Sequence, residues 1–406
     1  MPEAVIVSTA RSPIGRAFKG SLAGIRPDDL AVQMVRAALD KVPELEPRDI
    51  DDLMLGCGQP AGEAGFNIAR VVAVELGYDF LPGVTVNRYC SSSLQTTRMA
   101  FHAIKAGEGD AFISAGVETV SRFPQGSADS WPETRNPLFN AARERCDAAA
   151  ADGATEWHDP REDGLLPDVY IAMGQTAENV AVHTGISRED QDRWGVRSQN
   201  RAEAAIANGF FEREIAAVTL PDGTIVRNDD GPRPGTSYEK VSQLAPVFRP
   251  NGTVTAGNAC PLNDGAAAVI VMSDTRAREL GLTPLARVVS TGVSGLSPEI
   301  MGLGPIEAVK KALANAGMSI SDIDLFEINE AFAVQVLGSA RALGIDEEKL
   351  NVSGGAIALG HPFGMTGARI TATLLNNLAT HDKTFGVETM CVGGGQGMAM
   401  VVERLS

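Results

Sequence analysis

The chain has 406 residues, of which 44% are apolar and 21% charged, with a formal net charge of −16. It is too long for one small core and too apolar for a disordered chain, so a soluble protein of two or three domains is expected. The acidic balance excludes the basic footprint of a nucleic-acid binder, and no apolar run of about 18 residues offers a membrane span.

The N-terminus, MPEAVIVSTARSP, starts directly on a strand pattern without the basic-then-apolar order of a secretory signal. Five cysteines without C-x-x-C spacing predict reduced thiols and a cytoplasmic protein. AVIVSTARS (4–12) reads as a buried strand, DDLAVQMVRAALDKV (28–42) as an amphipathic helix and DIDDLMLGC (49–57) as a second strand. GVTV (83–86) is a third, and VNRYCSSSLQ hands it over to a helix that stops at Ala106-Gly107. DAFISAG (110–116) is a strand ending in small residues.

From about 123 to 250 the texture changes. SRFPQGSADSWPETRNP and EWHDPREDGLLPD are polar, proline-containing and loop-like. TAENVAVHTG and SREDQDRWGVRSQNRAEAAIANG are expected to be helices, the second capped by Ser187 with Asp190 three positions on. The first pattern then returns. ARVVSTGVS (286–294) answers AVIVSTARS, PIEAVKKALANAG (305–317) answers the first helix, DIDLFEINE (322–330) answers DIDDLMLGC, and ETMCVGG (388–394) answers DAFISAG. Strand–helix alternation repeated twice predicts two parallel sheets covered by helices. The expected domains are a first half at 1–122 completed by about 251–274, a loop domain over 123–250, and a second half over 275–406.

Four reactive side chains fall at strand–loop boundaries, where ligands of α/β sheets bind. They are Cys90, Asn329 in FEINEAF, His361 in GGAIALGHPFGMTGAR and Cys391 in TMCVGGGQG. Singly, each has a plain structural reading: cysteines pack, and an asparagine after a strand turns the chain. His102, His158, His183 and His381 lack such context, Cys57 and Cys146 read as packing or surface residues, and the N-x-[ST] matches at Asn251 and Asn351 carry nothing in a cytosolic chain. There is no G-x-S-x-G elbow, no H-E-x-x-H and no Walker A sequence, and no metal is expected.

Taken together, VNRYCSSSLQ, NEAF, GGAIALGHPFGMTGAR and CVGGGQG resemble the four active-site loops of the thiolases, in the same order. TVTAGNACPLNDGAAA (253–268) and MGQTAENVA (173–181) resemble two further stretches of that family. The resemblance implies the thiolase fold: α/β, two related βαβ-type halves stacked in layers, with a loop domain that covers coenzyme A inserted in the first. It implies acyl exchange between coenzyme A thioesters, with coenzyme A as co-substrate and no permanently bound cofactor. Cys90 matches the acylated nucleophile, its position at a helix N-terminus favouring thiolate. His361 matches the base that takes its proton, and Cys391 the thiol that moves the α-proton. By the same resemblance Asn329 holds a water against the enolate, and the N–H groups of Cys90 and Gly393 bind the acyl oxygen.

Arg233 and Thr236 match nucleotide-end contacts, Leu244, Phe248 and Ala256 the pantetheine tunnel, and Met173 the thioester pocket. Cys260 stands where serine is usual, Ser93 where glycine is usual, and Ala172 where short-chain biosynthetic members carry histidine. These departures favour a degradative 3-ketoacyl-CoA thiolase of β-oxidation type. An acetoacetyl-CoA-forming acetyltransferase and a non-catalytic lipid-binding homologue are the alternatives. A homodimer or homotetramer is expected.

Overall fold

The computed structural model describes residues 2–126 and 134–406. Part of the loop-like stretch SRFPQGSADSWPETRNP, residues 127–133, therefore lies outside the described residues.

The strands form one mixed sheet. In chain order its main members are β1 (Ala4–Arg11), β2 (Asp52–Gly56), β3 (Gly83–Val86), β4 (Ala111–Thr119), β5 (Asn263–Ser273), β6 (Ala286–Gly295), β7 (Leu325–Ile328), β8 (Phe385–Val392) and β9 (Gln396–Arg404). Their order across the sheet is β3-β2-β4-β5-β1-β6-β9-β8-β7. The second half thus mirrors the first about the β1–β6 seam, and Leu350, which bridges Phe326 in parallel, stands in for β3. Two parallel sheets were expected from the alternation. Only β2 with β3 and β4, and β7 with β8, are parallel. β5 and β9 return antiparallel in the sheet centre, and a two-residue antiparallel pairing, Val5 with Arg287 and Ile6 with Ala286, joins the halves. The strands paired at the seam and centre are linked by hairpin, short helix or long insert, and none of these needs a parallel crossover.

Central strands are buried on both faces, which is why their sequences run apolar instead of alternating. Along β5, Ala266, Ala268, Ile270 and Met272 enter one core with helices α1 (Pro27–Leu39) and α2 (Ile68–Glu75). Ala267, Val269 and Val271 face the other way, into a core with α3 (Ser92–Ala106). Successive side chains of a strand must point to opposite faces, so one strand serves two cores.

The insert runs from the end of β4 to the start of β5. It contains α4 (Asn140–Ala151), α5 (Met173–Thr184) and α6 (Arg188–Ala207). As expected, Ser187 caps α6 by accepting the Asp190 N–H at 3.0 Å. Ala177, Val180 and Trp194 of the insert pack into a third core with α7 (Gly304–Ala316) and α8 (Ala333–Leu343) of the second half. Buried Glu330 fixes that docking, accepting Trp194 Nε1 at 3.0 Å and Ser198 Oγ at 2.6 Å. The insert is thereby laid over the second half, beside Asn329.

α3 and α9 (Thr366–Thr380) meet between the halves. A Cβ on Gly367 would stand 2.2 Å from the Leu94 backbone nitrogen, so only glycine permits this approach. Cys90 and His361 lie just before the first turns of these two helices. Among the described residues no helix is long and apolar enough to cross a membrane.

Candidate active site

The corner VNRYCSSSLQ is folded by its own hydroxyls. Tyr89 takes φ 42°, and Cys90 sits in the 3-10 turn Tyr89–Ser91 ahead of α3. Ser91 Oγ donates to the Arg88 carbonyl at 3.2 Å, and Ser92 Oγ accepts the Arg88 N–H at 2.9 Å. Ser93 Oγ accepts the Ala368 N–H at 2.9 Å, tying α3 to the first turn of α9. The departure at Ser93 is therefore a packing feature of the helix pair. Arg88 straps the corner to the glycine run through Gln396 Oε1 at 3.0 Å.

Cys90 is buried, and the N–H groups of Gly393 and of Cys90 itself reach its sulfur. Those are the two donors expected to bind the acyl oxygen. The expectation that the helix N-terminus would hold a thiolate is not met. Burial pushes the Cys90 thiol up to about 11, outweighing both N–H donors. The nucleophile rests as a neutral thiol.

His361 is likewise neutral, burial first and the Arg369 charge second pushing it down to about 3. Thr366 Oγ1 gives its hydrogen to the Pro362 carbonyl at 2.7 Å and so accepts from His361 Nδ1 at 2.6 Å. That leaves the Nε2 lone pair as an acceptor, and it takes Asn329 Nδ2–H at 3.3 Å. Asn263 Oδ1 accepts the His361 N–H at 3.1 Å and fixes the loop. Asn329 Oδ1 is buried with no protein partner. Cys391 is fully buried, and Cys90 and Cys260 both act on it electrostatically, so three thiols share one site. Burial pushes Cys391 well up and Cys260 up to about 12.

One residue the sequence reading missed is Glu118. It is 1% exposed and accepts the N–H groups of Gly58 at 2.7 Å, Gln59 at 3.1 Å and Gly364 at 2.9 Å. Burial pushes its carboxyl up to about 7 against those donors. The strand register points to it, whereas the repeat as read in the sequence would set Cys391 against Ile113. Leu53 pairs with Ile113 in the first half and Leu325 with Gly386 in the second. Glu118 is five residues past Ile113, as Cys391 is past Gly386, and Cys57 and Asn329 correspond in the same way. The first half thus carries a Cys57–Glu118 pair, Sγ to Oε1 3.7 Å, where the second carries Asn329 and Cys391.

Two cavities adjoin the site or its approach. Arg233, Thr236, Leu244 and Ala256 come together, as expected, around one of about 280 Å³ with Lys240 at its mouth. Partial burial and the Arg16 charge lower the Arg233 guanidinium's pKa, so cations cluster there despite the acidic whole. The other, about 330 Å³, opens on Cys90 and is lined by Tyr89, Tyr170, Met173, Phe363 and Gly393 among others. Ala172 lines it too. Phe248 lines neither: it packs edge-on against Phe332 and over Gly174. Steric need for glycine falls elsewhere than Gly393, whose Cβ would meet only Tyr89 and Met173 at ordinary contact. Gly395 has φ 80°, and a Cβ there would stand 2.2 Å from the Leu296 carbonyl. His158 and His102 are both exposed, outside the site. Among the described residues no cluster of His, Cys, Asp and Glu could hold a metal ion.

The thiolase N-terminal domain profile matches residues 4–275 and the thiolase C-terminal domain profile residues 282–404. The 3-ketoacyl-CoA thiolase of Bacillus subtilis is 44% identical, over 99% of this chain and all of its own. The beta-ketoadipyl-CoA thiolase of Escherichia coli is 42% identical over the full length of both. Among solved structures, the Bacillus anthracis acetyl-CoA acetyltransferase superposes with a TM-score of 0.87 at 38% identity, covering 100% of this chain and 99% of the other. The dimeric peroxisomal thiolase of Saccharomyces cerevisiae does so at 0.87 and 36%, covering 99% and 97%.

Proposed function

The chain belongs to the thiolase family of acyltransferases, and from that premise we propose that it cleaves 3-ketoacyl-CoA with coenzyme A through an acyl-Cys90 intermediate. The observation that carries this is the convergence at Cys90. Two backbone N–H groups reach its sulfur, a second buried thiol, Cys391, feels its charge, and a cavity opens beyond it.

Cys90 Sγ adds to the C3 carbonyl carbon while its proton passes to His361 Nε2. Because thiol and imidazole both rest neutral, the transfer accompanies attack instead of preceding it. The oxygen is held by the N–H groups of Cys90 and Gly393, each donor worth about 3 kcal/mol of barrier. Breaking C2–C3 leaves the shortened acyl group on Cys90 and the electron pair on C2 as an enolate. Protonated His361 and a water on Asn329 hold the enolate oxygen, and the Cys391 thiol protonates C2 to give acetyl-CoA. The incoming CoA thiol gives its proton to the Cys391 thiolate and attacks the acyl-cysteine. Cys90 leaves and recovers its proton from His361, which restores the starting state.

Coenzyme A enters by the Arg233 cavity, where an arginine can take a phosphate bidentately. The cavity beyond Cys90 takes the acyl group, and Ala172 in its wall leaves room beyond an acetyl, which favours degradation over acetoacetyl-CoA synthesis. The chain acts as a homodimer in the cytoplasm. β3 is an edge strand, and the exposed side chains of Phe66, Val74 and Phe80 lie on the α2–β3 segment beside it. All five cysteines are free. The test is release of acetyl-CoA from a 3-ketoacyl-CoA on adding free CoA. Release of one acetyl-CoA per thioester is expected; tight binding without turnover would make this a lipid-binding homologue.

A further inference from the structure

The cavity beyond Cys90 has a mixed wall, with Val169, Ile171, Met173 and Phe363 beside polar groups. Gln59, Asn87, Tyr89 and Tyr170 line it, and among the described residues its one charged lining residue is Arg135, with no carboxylate beside it.

Arg135 is placed by the fold around it. Its guanidinium lies over the Tyr170 ring, 5.9 Å from the centroid. The next residue, Asn136, donates its N–H to the Tyr170 hydroxyl at 3.1 Å, and Phe139 packs edge-on against the same ring at 5.6 Å. Tyr170 is itself held, its N–H bonded to Asp168 Oδ1 at 2.9 Å. The segment carrying the arginine is thus pinned to the cavity wall by three contacts to one tyrosine. Among the described residues Arg135 makes no ion pair. Asp168 feels its charge, but that carboxylate is buried behind Tyr170 and spends Oδ1 on the tyrosine N–H.

An exposed arginine on an acidic protein usually finds a carboxylate. Here the chain holds 51 acidic side chains against 35 basic ones, yet among the described residues none lines the cavity this arginine faces. The net charge repels an anionic acyl tail, so such a tail needs a local cation. A hydrocarbon tail gains nothing from one and would have to desolvate it.

We propose that this cavity accepts 3-oxoacyl groups ending in a carboxylate, with Arg135 pairing that carboxylate while Cys90 takes the carbonyl at the other end. The inference rests on the thiolase reading and names the substrate class of the same site. In the acyl-enzyme the terminal carboxylate remains on the shortened acyl group, so the product is a CoA thioester of a dicarboxylic acid.

Four thioesters test it: 3-oxoadipyl-CoA against 3-oxohexanoyl-CoA, and 3-oxosuberyl-CoA against 3-oxooctanoyl-CoA. The wild-type enzyme should show a higher kcat/KM for the carboxylated member at one length or both. Arg135→Met should lower that value about 10–100-fold, the range of a charge-assisted hydrogen bond. It should leave the neutral thioesters within about threefold. Arg135→Lys, which keeps the charge without the fork, should fall between. A wild-type preference for the neutral member at both lengths, or an Arg135→Met effect shared equally by both members, overturns the proposal while leaving thiolase activity standing. Cleavage of none of the four overturns both.

Discussion

At Cys90 two effects oppose each other, and their magnitudes decide the resting state. The first turn of α3 and two backbone N–H groups favour a thiolate, but a buried sulfur loses its hydration, and that loss wins. The sign follows. Below a pKa of about 11 the thiolate fraction falls tenfold per pH unit, so alkylation of Cys90 in the free enzyme should climb steadily between pH 7 and 9. Iodoacetamide labelling followed by peptide mass mapping reads it, and a plateau near pH 7 would show a preformed thiolate. The sequence located this residue without giving its protonation state. A cysteine followed by three serines before an apolar helix is visible as a corner, whereas burial comes from Met390, Val392 and α9, far away in the chain. Gly393 was legible as part of a glycine run, yet positive φ falls on Gly394 and Gly395.

Among the elements, the repeat was the most legible feature and also the most misleading. Asp52 answering Asp324 correctly announced two related halves. The same alternation suggested parallel sheets, because β5 and β9, buried on both faces, give no sign in their own sequences of which direction they run. The strand register, five residues off the repeat as read in the sequence, sets Glu118 against Cys391. Glu118 sits at the end of β4 and joins two loops, Gly58–Gln59 in the acyl cavity and Gly364 next to the His361 loop. Glu118→Gln would turn an amide N–H₂ toward at least one N–H donor, costing about 1–3 kcal/mol. The variant should melt lower and lose kcat at least about tenfold, with the KM for coenzyme A nearly unchanged because the Arg233 cavity is built elsewhere. Thermal unfolding beside steady-state kinetics would show it, and wild-type values of both would remove Glu118 from the support of the site.

For the whole molecule, an acidic chain that is to bind an anion must gather cations locally, and Arg233 and Lys240 line one cavity while the Arg16 charge acts on Arg233. Composition announced the need, but only the fold brings residue 16 beside residue 233. Phe248, which the resemblance gives as a tunnel wall, is half-buried and packs edge-on against Phe332. The proposed chemistry divides the labour between the pseudo-symmetric halves, Cys90 carrying the acyl group and Cys391 only the α-proton. Isotopic exchange of free coenzyme A into an acyl-CoA touches the first role alone, since no carbon-bound proton moves. Cys391→Ala should therefore keep that exchange while carbon–carbon cleavage falls by about 10²–10⁴, and Cys90→Ala should lose both. Loss of exchange in Cys391→Ala as complete as in Cys90→Ala would contradict the assignment.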